Sequence, residues 1–163
     1  MAKFSLNNPS FTTEAVADGA NRTDATYLAL LGGSSTQRNS IIEVYAGGQA
    51  TSSAPQYLLL ARDSTVGGTL SGGRTAALDA ANSGVSSAPT GFTTATTKPQ
   101  RSSTLSLLNL TFNAFGGIVR WVAAPGEEIY TVGNTASLGE IGLSGFTGTT
   151  AGLIGAHIIF EPA

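Results

Sequence analysis

The chain has 163 residues, 11% of them charged, a net charge of −2, no cysteine and a single histidine, His157. This length holds one domain with room for a hydrophobic core, and the lack of cysteine excludes disulfide scaffolds, thiolate metal sites and thiol catalysis. Soluble domains average about 25% charged residues, so this surface reads as that of a subunit packed against other copies or a larger shell, rather than a free enzyme.

Residues 1–26 read as an extended N-terminal arm. Asn7-Asn8-Pro9-Ser10 and Asp18-Gly19 are turn formers, and the apolar anchors Phe4, Leu6, Phe11 and Val16 are sparse. Strand-like runs follow at 27–31, 40–46 and 56–62. Each is short, rich in aliphatic, β-branched or aromatic residues, and bounded by Gly or Pro. Residues 63–103 then form a long segment rich in Gly, Ala, Ser and Thr, with Phe92 as its one aromatic residue. Within it, 74–82 has the composition of one short helix, with Gly84 beyond its end. The last third has the clearest β pattern, at 104–112, 118–123, 128–132, 138–146 and 154–161. Alternation places Ile154, Ala156, Ile158 and Phe160 on one face of the final strand. About eight strands without intervening amphipathic helices predict a single all-β domain over 1–163. The expected architecture is an antiparallel β-sandwich, with a jelly roll as one form it could take.

Few residues carry recognisable chemistry. His157 is the sole imidazole, and the sequence lacks the Gly-x-Ser-x-Gly elbow of a hydrolase, so it reads as a structural or interface histidine. Glu127 and Glu128 are adjacent after Pro125-Gly126, and neighbours on a strand face opposite ways, so they read as a solvated turn rather than a glycosidase pair. Asp18 to Asp24 is oxygen-rich but lacks the spacing of a calcium loop. No catalytic residue, cofactor or metal is expected. The basic residues, from Lys3 to Arg120, are scattered, which argues against nucleic acid as a partner. No apolar run approaches the ~20 residues of a membrane helix, nor does the N-terminus have the core of a signal peptide. The expectation is therefore a subunit made in the cytoplasm, without membrane contact. Tyr45, Tyr57, Trp121 and Tyr130 are candidates for stacking on a sugar, with core packing the plainer role for Trp121.

The stretch from Leu107 to Glu127, which contains Ala114-Phe115-Gly116-Gly117-Ile118-Val119-Arg120-Trp121-Val122-Ala123-Ala124-Pro125-Gly126, resembles small virion proteins of tailed bacteriophages. Gly133 to Ser137 and the ending Gly155 to Pro162 share the resemblance. It implies a capsid decoration, or cement, protein: non-enzymatic, β-rich, commonly a homotrimer, and seated on the outside of the head where it bridges major capsid subunits. Its location would be the virion, and its partners the major capsid protein and itself. Phe4, Leu6, Phe11, Phe92 and Trp121 are the assembly-interface residues expected on this reading. A jelly-roll shell protein and a carbohydrate-binding or receptor-binding module are the alternatives.

Overall fold

The computed structural model describes residues 2–12, 26–65, 70–71, 75–82, 90–92, 94–95, 99–133, 138–145 and 153–163. In chain order the strands are β1 (Phe4–Thr12), β2 (Thr26–Leu31), β3 (Asn39–Gln49), β4 (Pro55–Thr65), β5 (Leu70–Ser71), β6 (Thr75–Ala77) and β7 (Thr90–Phe92). They continue with β8 (Thr94–Ala95), β9 (Gln100–Asn113), β10 (Ile118–Val122), β11 (Ile129–Tyr130), β12 (Ile141–Gly145) and β13 (Leu153–Pro162). The one helical element among the described residues is a 3-10 turn, Ala80–Asn82.

Two antiparallel sheets pack face to face. Sheet I has the order β10-β3-β13-β1-β6, with β11 also on β3; sheet II has the order β7-β2-β12-β4-β9. The first and last long strands are neighbours, and the chain crosses between the sheets at β1–β2, β2–β3, β3–β4, β6–β7, β9–β10, β11–β12 and β12–β13. Without the short strands, β1-β13-β3-β10 faces β2-β12-β4-β9, which is the double Greek-key order of a jelly roll. The core lies where the inner rows meet. Leu6, Ile41, Val44, Ile158 and Phe160 come from sheet I, and Leu28, Leu30, Leu58, Leu60, Ile141 and Leu143 from sheet II, all fully buried. Each such side chain contributes roughly 1.5–3 kcal/mol by leaving water. The alternation read in β13 holds: Ile154, Ala156, Ile158 and Phe160 are buried, whereas His157 and Ile159 on the opposite face are half-buried.

The N-terminal arm needs correction over its first half. Residues Phe4–Thr12 are a strand of sheet I, paired with β13 from Phe4↔Phe160 to Thr12↔Leu153. Phe4 stacks on Phe160 with ring centroids 5.8 Å apart, and Leu6 is fully buried. The turn formers Asn7-Asn8-Pro9 do not end the strand, because a register shift between Asn8 and Phe11 absorbs them; a bulge is where a strand tolerates proline. Residues 13–25, including the oxygen-rich stretch at 18–24, lie outside the described residues.

The 63–103 segment is likewise drawn partly into the sheets. Asp63–Thr65 completes β4, Gln100 opens β9, β6 pairs with β1 and β7 with β2. The short helix expected at 74–82 is instead β6 followed by the 3-10 turn, where Asp79 Oδ1 accepts a bond from the Ala81 amide at 3.0 Å. The alanines favour a helix locally, but the ladder Phe4↔Ala77 to Leu6↔Thr75 takes their backbone. Propensity yields to tertiary pairing here. Residues 66–69, 72–74, 83–89, 93 and 96–98 lie outside the described residues.

Candidate functional site

The outer face of sheet I carries a charge cluster built across three strands. Register aligns Arg120 of β10 with Tyr45 of β3, and Tyr45 with His157 of β13. Two residues back on β3, Glu43 accepts a bond from Arg120 Nη2 at 2.7 Å, and its other oxygen lies 3.1 Å from His157 Nε2. The Arg120 hydrogen bond, helped by His157 and opposed by partial burial, holds the Glu43 carboxyl below the usual range. Glu43 in turn pushes the exposed Arg120 guanidinium upward. The imidazole of His157 stacks on the Tyr45 ring, centroids 5.0 Å apart and planes 10° from parallel. Imidazole and carboxylate are two members of a hydrolytic relay, but no hydroxyl nucleophile is bonded to His157 among the described residues.

Beside this cluster the same face opens into a groove of about 500 Å³. Its floor is bare because Gly47 of β3 lies directly opposite Gly155 of β13. A Cβ on Gly47 would lie 2.9 Å from the Tyr45 hydroxyl and 3.3 Å from Ile118 Cγ2, and one on Gly155 would lie 3.0 Å from the Pro9 carbonyl oxygen. Tyr45 therefore leans along its strand over the glycine, Ile118 forms one bank, and the β1 bulge overhangs the other. Gln49 and Leu153, a register pair, close the end away from His157. No Lys, Arg, Asp or Glu lines the groove.

Sheet II places its ionisable groups differently. Asp63 on β4 is only 1% exposed, Glu140 is equally buried, and neither carboxylate oxygen of Asp63 has a hydrogen-bond partner among the described residues. The Asp63 carboxyl lies over Gly142 on the outer side of the sheet, where a Cβ on that glycine would be 2.6 Å from Oδ2. Thr26 and Ser144 share a hydroxyl bond nearby at 3.1 Å, and the Thr26 hydroxyl donates to the Pro99 carbonyl at 3.2 Å. Burial, with the neighbouring Glu140 carboxylate, pushes Asp63 up to about 9. Arg101 stands opposite Asp63 in the β4–β9 register and is also buried, which lowers its pKa; its guanidinium makes no bond to the Asp63 oxygens.

The third feature is an open edge. β9 pairs only with β4 among the described strands, and from Ser102 through the turn to Val119 the chain has no charged residue and no proline. Leu105 on this stretch is exposed, Phe115 at the turn is 58% exposed, and Ile118 is 66% exposed.

Of the expected interface residues, Phe4 and Leu6 belong to the core and have no surface to offer a neighbour. Phe11 stacks on Tyr27 at 4.3 Å. Trp121 points inward and packs partly buried against the core, while its neighbour Arg120 faces out. The β7 backbone pairs Phe92 with Ala29, and the Phe92 side chain lies outside the described residues. The structure thus does not gather Phe4, Leu6, Phe11 and Trp121 into one exposed patch. Sequence reasoning singled out His157 but missed Glu43, 114 positions away. It also took Gly47-Gly48 as a strand end, although both lie inside β3. Glycine within a strand pattern, a mark of close approach or of a bare surface, was the signal available. No family model, curated protein or solved structure matches this chain.

Proposed function

We propose that the chain is a non-enzymatic structural subunit of a larger assembly. The form implied by the phage resemblance is a capsid decoration protein, a homotrimer on the outer surface of a head, bridging major capsid subunits of the virion. The observation that carries this reading is the edge strand β9, uncharged from Ser102 on, with its exposed turn. Soluble β proteins protect a long edge with charges, proline or a covering element, because unpaired strand backbone recruits other chains. This edge has neither charge nor proline from Ser102 on, and Leu105 on the strand, Phe115 in its turn and Ile118 at the start of β10 are exposed apolar side chains. Coverage by a neighbour accounts for both facts and for the charge-poor composition. Jelly rolls occur in capsid and lectin domains alike, so the fold alone does not choose between them.

The test uses purified protein and expanded phage heads. Wild type is expected to sediment as an oligomer and to saturate heads at a fixed ratio. Leu105→Lys combined with Phe115→Ser is expected to weaken attachment at least about tenfold, the loss typical of an interface anchor, with unchanged melting temperature. A monomer without affinity for heads, or a double variant that attaches like wild type, overturns the reading. A second reading, a shell-forming coat protein, is favoured by the jelly-roll strand order; it requires the isolated protein to assemble into closed shells.

A further inference from the structure

We propose that the groove on the outer face of sheet I binds a neutral saccharide, one or two sugar rings in size. The groove shares Gly116, Gly117 and Ile118 with the turn and strand that follow the β9 edge, and the inference does not depend on the assembly reading.

Four observations converge on this ligand class. First, two neighbouring strands place glycine at facing outward positions, Gly47 and Gly155, so the floor carries no side chain of its own and brings the Tyr45 hydroxyl and the Pro9 carbonyl over backbone. With strands ~4.8 Å apart, the span from β10 to β1 is about 14 Å, and the volume of about 500 Å³ lies within the range of small-molecule sites. Second, Ile118 and Leu153 give the groove apolar walls, suited to the C–H faces of a sugar ring. Third, its polar lining residues carry a phenol, amides and an imidazole, from Tyr45, Asn7, Gln49 and His157 together with the buried Asn8, with no carboxylate, lysine or arginine among them. Phenol and amide groups both donate and accept, as sugar hydroxyls do, and the set offers no fixed charge to a phosphate or an anionic sugar. Fourth, the Tyr45 hydroxyl and the Gln49 amide have no protein hydrogen bond among the described residues, and the hydroxyl lies directly over the bare floor. A purely apolar occupant would bury these groups unpaired, which is costly; a hydroxylated one pairs them.

The site is also preorganised. Arg120 holds Glu43, Glu43 holds His157, and the His157 ring holds Tyr45 by stacking. Fixing these rotamers before binding removes part of the ordering cost. With one ring face taken by His157, Tyr45 contributes its hydroxyl.

The probes are methyl glycosides of glucose, galactose, mannose and N-acetylglucosamine and an array of neutral oligosaccharides, with binding read by saturation-transfer NMR and calorimetry on the isolated protein. At least one is expected to bind. Tyr45→Phe removes only the hydroxyl and is expected to weaken binding about tenfold. Gly47→Ala fills the floor, and its Cβ meets only the ends of Tyr45 and Ile118; it is expected to abolish binding with the melting temperature retained. The proposal fails if no neutral probe shows transfer, if only charged saccharides bind, or if Gly47→Ala binds like wild type. Because the readout is saccharide contact on the isolated protein, failure here is distinguishable from failure to attach to heads.

Discussion

On the outer face of sheet I, Glu43 meets Arg120 and His157 and stays ionised; on the outer side of sheet II, Asp63 meets no cation among the described residues and burial keeps it protonated. The two acids sit on consecutive long strands of the chain, one in each sheet, yet their surroundings are opposite. β3 is flanked by β10 and β13, which bring Arg120 and His157 within hydrogen-bond reach of Glu43, and it lies at the surface, where water shares the solvation. β4 is flanked by β12, buried along its whole length, and by a buried Arg101 whose guanidinium does not reach the acid. Charge on the first face is available for recognition, whereas the second face has been closed over a carboxyl that must remain neutral. The contrast extends to the glycines. Gly47 makes room for the tip of the Tyr45 ring at a surface, while Gly142 makes room for Asp63 within a packed layer.

Three measurements would break or sharpen this contrast. The largest effect concerns Asp63 and pH. Its pKa is raised in the folded state to about 9 from an unfolded value near 3.9, so the folded state binds the proton more tightly. The stability this confers is fully present below about pH 4 and is lost as pH rises toward about 9. Between pH 4 and 7 the loss from this group is up to about 4 kcal/mol. Denaturant titrations should therefore show wild type weakening from pH 5 to pH 8, and Asp63→Asn should flatten that slope; equal wild-type stability at both pH values would remove the contrast. Next in size is the glycine pair. Gly142→Ala forces a methyl group against the buried Asp63 carboxyl and Thr26 and should cost about 2 kcal/mol, whereas Gly47→Ala should change stability by less than about 0.5 kcal/mol. Equal losses would mean that the outer face of sheet I is as tightly packed as that of sheet II. The smallest effect is expected from Glu43→Gln, because exposed ion pairs contribute little. The difference between it and wild type should shrink further in high salt, and a loss as large as that of Gly142→Ala would show the cluster to be structural.

Much of the fold was legible because it is written at short range. Ile154, Ala156, Ile158 and Phe160 announce their common face by alternation alone, and Trp121 and Arg120 announce that one of them turns inward. β1 was not legible, since Phe4 and Leu6 are too few anchors to mark a strand until β13 supplies the partner. β6 was misread for a related reason: its alanines prefer a helix, and only the pairing with Phe4 to Leu6 decides against it. The groove was hidden because Gly47 and Gly155 acquire meaning as a facing pair. Glu43, His157 and Arg120 likewise lie far apart in the chain and meet only through the β10-β3-β13 register.

By itself, the sequence determined that this protein is all-β, which residues of the final strand face the core, and that the chain is poor in charge. Those properties follow from side-chain chemistry and a two-residue period, which act over a few residues. The tertiary structure alone decided the jelly-roll order, the absorption of the N-terminal segment into sheet I, the bare floor beside Tyr45 and the isolation of Asp63. Each of these depends on which strand lies next to which, and that is settled only when the two sheets close on one another and bury their apolar faces together.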